Sequence, residues 1–176
     1  MNLLELIQIE RSFDANEEVK HSPSWKNFID LASKKDWPEL FKLAEQMFKE
    51  SSSSLEKGLI LAFAVGACDE VYDPQLRTQW LRKWNLIADW PTHQWLLYLN
   101  RYHEGATYFM NGEIRSAEES FEQTRLMATS FNYRRGEMRS LYYLALIDAE
   151  FNRRIESTDK LNLVESIAKE QRAFRL

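Results

Sequence analysis

The sequence of 176 residues contains a single cysteine, Cys68, so the chain can close no disulfide on itself. Glycine and proline are scarce, at 5 and 4 residues. An all-β protein spends many more such residues on turns, so the scarcity points to long helices with few connections. An excess of positive charge is missing too: 23 Lys and Arg face 27 Asp and Glu, a formal net charge of −4. A general nucleic-acid binder draws its affinity from the opposite balance, and the charge gives no reason to expect attraction to an anionic membrane. No apolar stretch reaches the ~20 residues that span a bilayer. Near the start, Glu5 interrupts an apolar run that no basic residues precede, which suits an amphipathic helix better than a secretory signal. A cytoplasmic protein that needs no membrane or nucleic acid is the expectation.

What is present is apolar and periodic. At 44% hydrophobic and 13% aromatic residues, the chain is too apolar to remain disordered and long enough to bury a core as one domain. Trp95, Leu99, Tyr102, Ala106 and Phe109 recur at steps of four and three, which is one face of a helix. Asn111-Gly112 ends it, and Ile114, Ala117, Phe121, Thr124 and Ala128 open a second stripe of the same rhythm. Two helices joined by so short a turn lie antiparallel and pack together. Upstream, helices are expected at 25–33 and from Leu40 to Met47, then at 55–71 and 76–87. Downstream they are expected at 140–151 and 155–173. A further helix is read at 2–13. Asp36, Asp73, Gly112 and Asn152 mark the four turns and stand 37, 39 and 40 residues apart. A hairpin repeating near 40 residues cannot cover its apolar faces alone and implies stacking.

The run Gly105-Ala106-Thr107-Tyr108, with Asn111-Gly112-Glu113, Ala117 and Phe121, resembles a tetratricopeptide repeat. That family places a small residue midway along the first helix and an aromatic three residues later. A Gly-acidic turn follows, then Ala and a large aromatic on the second helix. Arg135-Gly136-Glu137, followed by Leu141, Leu144-Ala145 and Phe151-Asn152, is similar to lengthened repeats of about 40 residues. There a Gly-acidic pair precedes the helix. The family's closing proline is absent. The resemblance is good over 95–155 and implies an all-α, right-handed α-solenoid of about four hairpins plus an N-terminal helix.

Candidate chemistry is thin. Glu18 and His21 form one Glu-x-x-His, where a di-metal bundle needs two and further carboxylates. His103-Glu104 lacks the second histidine of a zinc protease. Cys68 is followed by Asp69 and Glu70, the opposite of the basic surroundings that activate a thiol, and reads as a small core residue. No phosphate loop, nucleophile elbow or kinase motif occurs. No cofactor, no metal and no catalytic activity are expected. Trp25, Trp37, Trp80, Trp84, Trp90 and Trp95 read as rings filling spaces between imperfect repeats, against the alternative of an aromatic anchor surface.

The resemblance implies a binding face, because the first helix of each tetratricopeptide pair lines the concave side. Alignment on Gly66, Gly105 and Ala145 gathers Phe63, Tyr102 and Tyr142, then Ala67, Ala106 and Leu146, then Glu70, Phe109 and Ala149. Arg135 and Arg139 extend this face with positive charge. The implied activity is that of a non-enzymatic adaptor for a protein or peptide, with an acidic or C-terminal segment as ligand. Two alternatives remain: a secretion-type chaperone, and a self-assembling module whose hairpins stack between chains.

Overall fold

The computed structural model describes residues 23–87 and 94–173. The helix expected at 2–13, the Glu18/His21 pair, His93 and Trp90 lie outside the described residues. Among those described there are eight helices and no strand: α1 (Pro23–Lys34), α2 (Trp37–Glu50), α3 (Ser54–Val71), α4 (Pro74–Trp84), α5 (Gln94–Met110), α6 (Ile114–Ser130), α7 (Arg134–Glu150) and α8 (Arg154–Ala173). The chain groups into two units, Met1–Leu97 and Tyr98–Leu176.

The helices stop by one device repeated along the chain. Lys35, Tyr72, Gly112, Asn132 and Asn152 all have positive φ, between 54° and 78°. At Gly112 the left-handed residue lets the amide of Glu113 reach back to the Tyr108 carbonyl over 2.8 Å. The same backward bond joins Asp36 to Leu31, Asp73 to Cys68, Tyr133 to Ala128 and Arg153 to Asp148. Each bond satisfies a carbonyl that the helix end would otherwise orphan. The residue after each reversal immediately precedes the next helix, and Asp73 in that place caps α4 by accepting from the Leu76 amide. Pro74 therefore lies in the first turn of α4, where its missing N–H costs nothing. In the C-terminal unit this spacing is uniform. Helices α5, α6 and α7 are each 17 residues long, with the reversals 20 residues apart.

Only one of the five reversals uses glycine. Tyr72 holds φ at 54° although its side chain is 89% exposed and pays for no burial. Tyr72→Gly is expected to stabilise the N-terminal unit by about 0.5–1 kcal/mol, read as a rise in its thermal midpoint. A fall would mean that the exposed ring makes a contact this geometry lacks.

Helix α7 begins at Arg134, six residues earlier than the expected start at 140. The chain has already reversed at Asn132-Tyr133, so Gly136 and Glu137 lie in the first turn of α7 rather than before it. Conversely α4 ends at Trp84, three residues short of the expected 87.

In the N-terminal unit α3 forms the centre. Every residue from Leu59 to Val65 is buried. Trp25 and Phe28 of α1 meet Phe63 of α3 edge to face, with ring centroids 5.8 and 5.5 Å away. Phe41 of α2 stacks on Trp80 of α4. Trp25, Trp80 and Trp84 are all buried, so these three rings are core. Arg77 of α4, also buried, pairs with Asp69 of α3, which keeps its charge compensated in an apolar surround.

In the C-terminal unit α5, α6 and α7 close on Phe121. Gly105 of α5 permits the approach, because a Cβ there would lie 3.1 Å from the Cβ of Ser120 and 3.2 Å from the Phe121 ring. Tyr102, Ala106, Ala117, Phe121, Leu144 and Ile147 form the buried cluster. Thr124 and Ser140 join α6 to α7 through a buried hydroxyl–hydroxyl bond of 2.9 Å. Helix α8 packs on α7, and the Ser157 hydroxyl donates to the Ala145 carbonyl over 2.8 Å.

Candidate functional site

The eight residues expected on one concave face fall in both units and differ in burial. Phe63 and Ala67 belong to the N-terminal unit and are both buried, Phe63 beneath Trp25 and Phe28. Tyr102 is 9% exposed, its ring edge-on to Phe121 at 5.9 Å and to Tyr143 at 6.1 Å. Ala106 is buried in the same cluster, and Phe109, half-buried, packs on Tyr143 at 5.6 Å. Phe63, Ala67, Tyr102 and Ala106 hold the interior together and are not open to a ligand as lining side chains. The physical reason is that α5 contributes the same stripe to a core that α6 and α7 both close.

Of the other three, Tyr142 is exposed and Arg135 and Arg139 are half-buried. Arg135, Arg139 and Tyr142 lie on one face of α7, with Met138, Leu146 and Ala149 continuing it at helical spacing. Tyr142 is 47% exposed and meets its neighbour Tyr143 edge to face at 6.0 Å. Tyr143 turns inward instead, stacking on Phe121 with centroids 4.3 Å apart. So of two adjacent tyrosines one is core and one is surface, as a helix requires of residues 100° apart.

The electrostatics of this face come from its arginines. Arg139 is half-buried, and burial lowers its guanidinium below the ordinary arginine range, with Tyr143 opposing the shift. Beside it on α7 stands Glu137. That carboxylate is held by Arg134 over 2.6 Å, and Arg134 reaches on to Glu170 at 2.9 Å. The face thus joins a cationic end at 135–139 to an apolar stretch at 138–146.

Nothing matches the chain among family models, curated proteins or solved structures. The functional reading rests on this geometry alone.

Other candidate groups lie in the interior. Burial pushes the Cys68 thiol up to about 12, helped by Asp69 and Asp73 and opposed by Arg77, so it stays protonated and unreactive. His103 is buried beside Tyr102, with ring centroids 5.5 Å apart. Among the described residues no group of three or more His, Cys, Asp or Glu is placed to hold a metal, and no helix is long and apolar enough to cross a membrane. Met138 escaped the sequence reading because the expected helix began after it. The true start of α7 was signalled only by Asn132, a residue type tolerant of positive φ.

Proposed function

We propose that this chain is a non-enzymatic scaffold of tetratricopeptide-like architecture, working in the cytoplasm, that binds a segment of a partner protein along the outer stripe of α7. The observation that carries the reading is the exposed Tyr142 standing between two arginines and two apolar side chains on one helix face. Tyr and Arg supply most of the energy at protein interfaces, and an aromatic left half in water gains when a partner covers it. A helix laid along α7 would contact Met138, Tyr142 and Leu146 at successive turns. The inert thiol of Cys68 and the inward turn of His103 favour binding over catalysis.

Capture from a cell extract tests the reading, using the full chain and a Tyr142→Ala/Leu146→Ser variant shown by circular dichroism to be folded. The captured protein is then purified and titrated against both. Loss of two anchors is expected to weaken binding by tenfold or more, about 1.4 kcal/mol. A partner held equally well by the folded variant, or no partner at all, overturns the proposal.

A further inference from the structure

The outer face of α6 borders an open cleft of about 720 Å3, separate from the α7 stripe. Positions 115, 118, 119, 122 and 126 form one wall at helical spacing, and Phe151 and Arg153 of the α7–α8 turn form the other. Part of its charge is already matched. Arg153 donates to Glu118 over 2.6 Å and lies over the Phe151 ring, 4.9 Å from its centroid. Arg125 grips Glu122 through bonds of 2.6 and 2.9 Å, which holds that carboxyl below its ordinary range. Two ionised side chains are left over. Arg115 and Glu119 are both exposed, one helical turn apart, and neither has an ion-pair partner among the described residues.

The cleft also exposes large apolar groups, Leu126 at 55% and Phe151 at 43%. At the matching places of helix and turn within the unit, the chain has Ser166 forty residues after Leu126 and Asn111 forty residues before Phe151. Packing within the unit therefore does not call for an apolar side chain at either place. An exposed apolar pair in a cleft is explained by a surface that becomes covered in use.

We propose that this cleft is a self-association surface, in which a second copy of the chain docks about a twofold axis with the two α6 helices antiparallel. A twofold contact is reciprocal: if one residue meets another, the second meets the first across the axis. Arg115 of each copy then meets Glu119 of the other, twice over. The same axis carries each Leu126 toward the other copy's α5–α6 turn, where Met110 is 53% exposed. The opposite signs of the two leftover charges select a copy of the chain itself. A uniformly basic or acidic segment would satisfy one and oppose the other.

Sedimentation equilibrium of the full chain over a range of concentrations tests this. The wild type is expected to show a monomer–dimer equilibrium. Arg115→Glu and Glu119→Arg each set like charges against one another twice, and each is expected to weaken the dimer by about tenfold or more. The double reversal restores the pair in the opposite sense and should return the dimer to within about threefold of wild type. Both substituted positions are exposed, so thermal midpoints near wild type would confirm that the variants fold. A wild type that stays monomeric throughout overturns the proposal. So does a dimer indifferent to both single reversals, or a double reversal that fails to recover.

Discussion

Phe121→Ala is expected to cost the C-terminal unit about 3–5 kcal/mol. The Phe121 side chain is fully buried, stacked on Tyr143 at 4.3 Å and edge-on to Tyr102 at 5.9 Å. Its ring also fills the space opposite Gly105. The walls of the resulting cavity are rigid rings and backbone, which relax little, so both the lost burial and the void count against the variant. Leu161 supplies the internal control. It stands 40 residues later at the matching position of α8, yet is 42% exposed. Leu161→Ala should cost less than about 1 kcal/mol. All six tryptophans precede residue 98, whereas six of the seven tyrosines follow residue 97. Denaturant unfolding followed by near-ultraviolet tyrosine ellipticity therefore reads the C-terminal unit, and tryptophan fluorescence the N-terminal one. Similar losses for Phe121→Ala and Leu161→Ala would contradict this account of the core.

The hairpins were legible because the two signals that define them are local. Apolar spacing along 95–110 and 114–128 and the Gly112 stop required no knowledge of tertiary structure. The reversals at Lys35 and Tyr72 were legible only through Asp36 and Asp73 beside them, since neither lysine nor tyrosine advertises positive φ. Which way a stripe faces was harder to read. Every residue from Leu59 to Val65 is buried, and a helix apolar all round gives no direction to its aromatic Phe63. Tyr102 and Tyr142 share a repeat position, yet one is buried and the other exposed. The difference lies in their neighbours: Phe121 and Tyr143 close over Tyr102, while among the described rings Tyr142 meets Tyr143 alone. The α6 cleft left a weaker trace, Leu126 and Phe151 standing where the matching places of the same unit, 166 and 111, have Ser and Asn.

Alkaline pH should unfold this protein through groups that burial keeps protonated. In the C-terminal unit the Tyr98 phenol is pushed well above its ordinary value of 10.0, chiefly by burial, with Tyr133 and Tyr102 adding to the shift. Burial pushes Tyr133 up to about 12, Arg135 opposing. In the N-terminal unit Cys68 rises from 9.0 to about 12. The sign follows from proton counting. Above its ordinary pKa each group loses its proton in the unfolded chain but keeps it in the folded one. The unfolded state then binds fewer protons, and stability falls as pH rises. The contribution is whole below pH 9 and declines through the window up to 12, at about 1.4 kcal/mol per pH unit per group. By pH 11 each unit should have lost about 3 kcal/mol, from two phenols in one and a single thiol in the other. Denaturant unfolding at pH 8 and pH 11 measures the loss through the tyrosine and tryptophan signals. Cys68→Ala should flatten the tryptophan-reported loss, and Tyr98→Phe/Tyr133→Phe the tyrosine-reported one. If these variants kept the wild-type slope, burial of these three groups would not be its source, and the lysines, which also lose charge at high pH, would have to carry it.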